Sequence, residues 1–157
     1  MTILGIDPGT TMTALCGFDG TQAIEPVIVT NGRVLGRLGV YGRSGEPLTV
    51  AIETISSYGM PVGAEVFQTC EWIGRFHQVA VDCGLEVIRI PRGEVKLHLC
   101  QSARAKDANI RQALLDRLGP VGTKKNPGAL YGVKSHIWSA LAVAVTAWDR
   151  AATASAR

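Results

Sequence analysis

Two near-continuous apolar runs, Thr2-Ile3-Leu4-Gly5-Ile6 and Leu48-Thr49-Val50-Ala51-Ile52, each close on a carboxylate, Asp7 and Glu53 respectively. Unbroken apolar runs of this length, bounded by turn residues, read as buried strands rather than half-exposed ones. Asp7-Pro8-Gly9-Thr10-Thr11 marks a turn after the first run. Two more strand-like runs follow, Met12 to Phe18 and Ala23 to Thr30, separated by Asp19-Gly20, a dipeptide suited to hairpin turns. The first three strands are therefore expected to form an antiparallel meander. From Asn31 to Pro47 five glycines (Gly32, Gly36, Gly39, Gly42 and Gly45) interrupt any long helix, so this stretch reads as mostly loop, with at most a short helix over Arg33 to Leu38.

Beyond the loop Ser56-Ser57-Tyr58-Gly59, the positions Val66, Cys70, Ile73, His77 and Ala80 recur at helical spacing up to Gly84. Leu85 to Ile90 reads as another strand, and Pro91 opens a short helix through Leu99. Asp107 is predicted to cap a helix ending near Leu118-Gly119. Pro120 to Val133, rich in glycine and lysine, reads as a mobile loop. Ser135 then opens a last apolar helix. The pattern predicts an α/β chain with a five-stranded mixed sheet, order 3-2-1-4-5, flanked by helices. A right-handed crossover puts the fourth strand parallel to the first and beside it, so Asp7 and Glu53 emerge as neighbours.

A length of 157 residues suits one domain, expected over residues 1–150 with a frayed tail at 151–157. No apolar run approaches the roughly 18 residues of a membrane span and no signal-peptide layout opens the chain, so a cytoplasmic protein is expected. The four cysteines lack a C-x-x-C pair and read as buried thiols. The net charge of +3 is unevenly placed. Residues 89–134 carry ten Lys or Arg against three acids, a local +7, and the remainder is −4. Such a basic segment suits a phosphate backbone, although solvated helix faces explain it equally well.

Two carboxylates at adjacent strand ends repel unless a cation or shared proton neutralises them. Oxygen donors suit Mg²⁺ or Mn²⁺, which in nuclease sites act as a pair about 3.5–4 Å apart. Asp7 also has an ordinary use as a turn residue before Pro8-Gly9. A Glu closing a buried strand is harder to explain structurally.

Ile3-Leu4-Gly5-Ile6-Asp7-Pro8-Gly9 resembles the opening of RuvC-type Holliday junction resolvases, and Ala51-Ile52-Glu53 their second acidic strand. The run His136-Ile137-Trp138-Ser139-Ala140-Leu141-Ala142-Val143-Ala144 resembles their last helix, in which an acid or His and an acid three residues later share one face. The three matches fall in order along nearly the whole chain. The resemblance implies a ribonuclease H-like fold, a homodimer, branched DNA as substrate and paired nicks across a four-way junction. It implies Asp7, Glu53 and His136 as catalytic metal ligands for two Mg²⁺ or Mn²⁺ ions. Ser139 stands where the family has its last metal-binding Asp. Either water bridges Ser139 to metal, another acid substitutes, or the second ion binds weakly. Asp107 is the nearest substitute, although N-capping is its simpler role, and Asp149 lies roughly 20 Å along the helix from His136. Lys106 matches a catalytically important family Lys if one residue of offset is allowed. The family's stacking aromatic is Ser56 here, with Tyr58 two residues on as a stand-in. Arg104, Lys106, Arg111, Lys124, Lys125 and Lys134 are the expected DNA contacts. Set against the family, the helix between the third and fourth strands is expected to be cut down here to the glycine-rich stretch.

The hairpin around Asp7-Pro8-Gly9 also resembles the phosphate-binding turn of actin-like ATPases and sugar kinases. Those enzymes need two such domains, so no nucleotide cofactor is expected. A junction-binding module with a decayed site, and a nuclease acting on another structured nucleic acid, stay open as alternatives.

Overall fold

The computed structural model describes residues 1–156 and contains one five-stranded sheet with helices on both faces. Strands β1 (Thr2–Asp7), β2 (Met12–Phe18) and β3 (Ala23–Thr30) form the antiparallel meander. Strand β4 (Leu48–Thr54) runs parallel to β1, and β5 (Glu86–Pro91) parallel to β4. The order is β3-β2-β1-β4-β5, as the pattern predicts. The register Ile6↔Ile52 carries Asp7 and Glu53 out together at one end of the sheet.

The near-continuous apolar character of β1 and β4 reflects burial on both sides. One face packs on α5 (Ile137–Ser155), where Ala140, Leu141, Ala144 and Val145 lie against Ile3, Ala14 and Cys16. The helices α3 (Arg92–Cys100) and α4 (Asp107–Leu118) complete that layer through Val95, Ile110 and Leu114. The other face packs on α1 (Asn31–Ser44) and α2 (Ala64–Asp82), where Val34, Leu38, Ile73 and Phe76 meet Leu4, Ile6 and Ile52.

Four expectations need correction. Residues 31–44 form a helix of 14 residues, not a loop. Each helical glycine costs about 1 kcal/mol against alanine, yet Gly32 and Gly36 face open space while Val34 and Leu38 are fully buried, so tertiary packing outweighs propensity. Gly42 contributes directly, since a Cβ there would come within 2.6 Å of Cys83 on the neighbouring α2 end. The segment from Pro120 to Val133 is not a free loop: Gly122 and Pro127 form a β-bridge, Ala23 donates to the Ala129 carbonyl at 2.8 Å, and Leu130 is fully buried. Helix α5 continues to Ser155 across most of the stretch expected to fray, while Arg157 lies outside the described residues. Of the four cysteines only Cys16 is buried, and Cys70 is exposed on α2. Among the described residues no helix is long and apolar enough to cross a membrane.

Candidate active site

The C-terminal ends of β1, β4 and β5 meet the N-termini of α3, α4 and α5, the usual place for a ligand site in an open α/β sheet. Asp7 ends β1, and Glu53, 7% exposed, lies one residue before the end of β4. His136 directly precedes α5, and its Nδ1 lies 3.5 Å from Asp7 Oδ2. Ser135 does not open this helix. It takes a left-handed φ of 48°, which turns the chain so that His136 caps the helix beside Asp7. Ser139, one helical turn on, lines the same cleft.

Arg92, the first residue of α3, stands between the acids. Its Nη1 donates to Glu53 Oε1 at 2.6 Å and its Nη2 to Asp107 Oδ1 at 2.5 Å. Asp107 is the first residue of α4 and not its cap. Lys106 holds the cap position, where its backbone N–H donates to Asn109 Oδ1 at 2.8 Å. The Asp107 carboxylate is thereby free to turn to Arg92.

The electrostatics follow from this placement. Burial, then the Glu53 charge, push Asp7 up to about 7, against a smaller opposing pull from Arg92. Burial also raises Glu53, with Arg92 working against it. Burial would lower Arg92, but Glu53 and Asp107 together hold it above its ordinary value. Two desolvated carboxylates side by side, one of them holding its proton to near neutrality, form a site that gains from a further cation. Hard oxygen donors fit Mg²⁺ or Mn²⁺. Among the described residues no three His, Cys, Asp or Glu side chains converge into a cage. Mg²⁺ needs none, because one or two carboxylates, waters and substrate phosphates ordinarily complete its shell.

Two clefts meet here. One, of about 700 Å³, runs past Asp7, Met12, Arg111, His136 and Ser139. The other, of about 720 Å³, runs past Glu53, Tyr58, Lys96 and Arg104. Asp7, Pro8 and Arg92 line both. Tyr58 is 75% exposed, and Arg111 lies over the Trp138 ring at 5.2 Å from its centroid. Of the basic residues expected to contact DNA, Arg104 and Arg111 thus line the clefts, whereas Lys106, Lys124, Lys125 and Lys134 line neither. Asp149 is remote as expected, held by Arg117 at 2.7 Å and His98 at 2.7 Å.

Sequence reasoning missed Arg92, Lys96 and a latch under Asp7. Arg92 was legible in principle: it directly follows β5, the strand next to the one bearing Glu53, at the sheet end where sites form. In the latch, buried Asn31 accepts from Thr13 Oγ1 at 2.7 Å and donates through Nδ2 to the Gly9 carbonyl at 3.0 Å. Its backbone N–H donates to the Thr11 carbonyl at 3.0 Å. These bonds hold the turn after Asp7 to the start of α1, and no pattern in the sequence signals them.

No family model matches the chain, and no curated protein matches it in sequence. Solved structures do. The chain has the fold of RuvC from Thermus thermophilus, with a TM-score of 0.72 over 98% of this chain and 97% of that one, at 23% identity. T. thermophilus RuvC in complex with Holliday junction substrate matches with a TM-score of 0.70, covering 93% of this chain and 92% of that one, also at 23% identity. The architecture is thus the ribonuclease H-like α/β fold. Within that class it is the RuvC form of the fold that this chain shares along almost its whole length.

Proposed function

We propose that this chain is a RuvC-type Holliday junction resolvase, a structure-selective endodeoxyribonuclease that cuts four-way and other branched DNA by metal-dependent phosphodiester hydrolysis. The observation that carries the reading is the pairing of Asp7 with Glu53 at the ends of parallel β1 and β4, with His136 beside Asp7, in a fold shared with RuvC.

Asp7 and Glu53 are the residues that would hold a divalent ion, Mg²⁺ or Mn²⁺. Such an ion, when bound, supplies an activated water and neutralises charge on the reacting phosphate. His136, 77% exposed at the cleft, positions that water or completes the ligand set. Ser139 reaches the site only through water, and Asp107 acts by fixing Arg92. Arg104, Arg111 and Lys96 hold phosphates along the two clefts, and Tyr58 stacks on a splayed base, an interaction worth roughly 1–3 kcal/mol. Lys106, Lys124, Lys125 and Lys134 contact DNA outside the clefts.

Paired nicks need two sites, and a homodimer supplies them. Helix α2 carries Phe67, 64% exposed, and the loop leading into it carries the exposed Met60 and Val62, apolar surface suited to a second copy. On this reading the protein acts in the cytoplasm of a bacterial or phage-infected cell.

The test is cleavage of labelled four-way junction, fork, linear duplex and single strand with Mg²⁺, with Mn²⁺ and with chelator. Paired, metal-dependent nicks confined to branched DNA are expected. Asp7→Asn is expected to abolish cutting while junction binding persists. Tight junction binding without cutting by the unaltered chain would favour the decayed module that Ser139 makes conceivable.

A further inference from the structure

Three carboxylates, Asp7, Glu53 and Asp107, gather around one guanidinium, and Arg92 already spans two of them. Glu53 is almost fully buried, so removing Arg92 from their 2.6 Å pair would leave a buried carboxylate without its partner. Ser139 lines the cleft with a neutral hydroxyl where a further acid could have helped hold a second ion. Among the described residues no three His, Cys, Asp or Glu side chains converge into a metal cage. With Asp7, Glu53, Asp107 and Arg92 all ionised, these four groups together carry −2. One divalent ion cancels that charge, whereas two would leave a half-buried site at +2. Arg92 sits where the two clefts meet, and only two of its five N–H donors are engaged by the carboxylates.

We propose that each chain holds a single divalent cation, at Asp7 and Glu53, and that Arg92 is a built-in cation standing in for a second ion and donating to the reacting phosphate. This rests on the nuclease reading above and revises the two-ion site that the family resemblance implies. A guanidinium is the fitting group, because its planar fork reaches two carboxylates at once and stays charged throughout the physiological range.

Mn²⁺ binding to the full-length chain, followed through the paramagnetic resonance signal of free Mn²⁺ and without DNA, is expected to saturate at one ion per chain. Arg92→Gln is expected to admit a second ion and to tighten the first by roughly tenfold or more, since a like charge has been removed. Junction cutting by that variant is expected to fall on the order of 100-fold. Arg92→Lys keeps the charge without the fork and is expected to keep the one-ion count. Two ions of comparable affinity in the unaltered chain would overturn the proposal, as would an Arg92→Gln chain that still binds one. If Arg92→Gln does not fold, the unaltered chain decides: a cutting rate first order in subsaturating Mn²⁺ supports the proposal and a second-order rate overturns it. One bound ion with no cutting of any branched DNA would remove the resolvase reading and leave the metal count standing, whereas a chain that binds no Mn²⁺ overturns both.

Discussion

Replacing Gly5 with alanine tests mechanically how the last helix seats the site. A Cβ on Gly5 would lie 1.9 Å from the Ala140 carbonyl oxygen and 3.0 Å from the Ala144 Cβ. Real Cβ atoms essentially never come within 3.0 Å of such a neighbour, so α5 must retreat from β1 by about an ångström. Neither neighbour can yield by rotating, because one is backbone and the other is a fully buried methyl group. Overpacking of a close-packed core costs about 1–3 kcal/mol, and a backbone clash belongs at the upper end. For a chain of this size each kcal/mol shifts Tm by about 2–4 °C, so Gly5→Ala is expected to lower Tm by roughly 6–12 °C. The same displacement carries His136 away from Asp7, where the present separation is 3.5 Å. A misplacement of about 1 Å in a catalytic constellation costs on the order of 100-fold in rate. Thermal unfolding by circular dichroism, with junction cutting assayed well below the variant's own Tm, measures both effects. A Tm within about 2 °C of the unaltered protein together with unchanged cutting would refute the seating described here.

Chelated protein should lose stability as pH rises from about 4 to 7, because folded Asp7 keeps its proton to about 7 while the unfolded chain releases it near 3.8. Asp7 contributes at most roughly 4 kcal/mol of this loss, and the raised Glu53 adds to it in the same direction; the loss should reverse on adding Mg²⁺ at pH 8 and shrink in Asp7→Asn, and urea titrations across pH that stay flat in the unaltered chain would contradict it. Asn31→Ala strips the Thr13 hydroxyl and the Gly9 carbonyl of their partners. It is expected to cost about 1–3 kcal/mol in chemical unfolding, and a loss under about 0.5 kcal/mol would show that the latch is dispensable. Phe67→Asp places a charge in the exposed apolar face of α2 and is expected to yield monomers in sedimentation equilibrium. A variant that sediments as the unaltered protein does would move the dimer interface elsewhere.

All five strands were legible to within a residue or two, because an apolar run that ends in turn residues has few alternatives to being a buried strand. The glycine-rich helix α1 was not legible, since propensity alone argues against it and only its packing on α2 and the sheet overrides that preference. The 120–133 segment misled for a related reason: its composition is loop-like, but Leu130 and Val133 anchor it in the core. Within the candidate site, Asp7, Glu53 and His136 were singled out because short motifs mark strand ends and a helix start, and the fold brings the three together. Asp107 was singled out on its charge and its closeness in the chain, and its partner was not foreseen.

What the sequence by itself determined is local or nearly so: which runs are strands, that β4 returns parallel beside β1, and hence that two carboxylates stand together. The tertiary structure alone decided what those carboxylates meet. Arg92 reaches Glu53 across 39 positions and Asp107 across 15, and Asn31 grips Gly9 across 22. Contacts between such distant positions leave no periodic trace, because hydrophobic patterning records only whether a residue faces core or solvent. The partner of a buried charge is set by how sheet and helices pack, and that packing makes Arg92, not a fourth acid, the neighbour of the paired carboxylates.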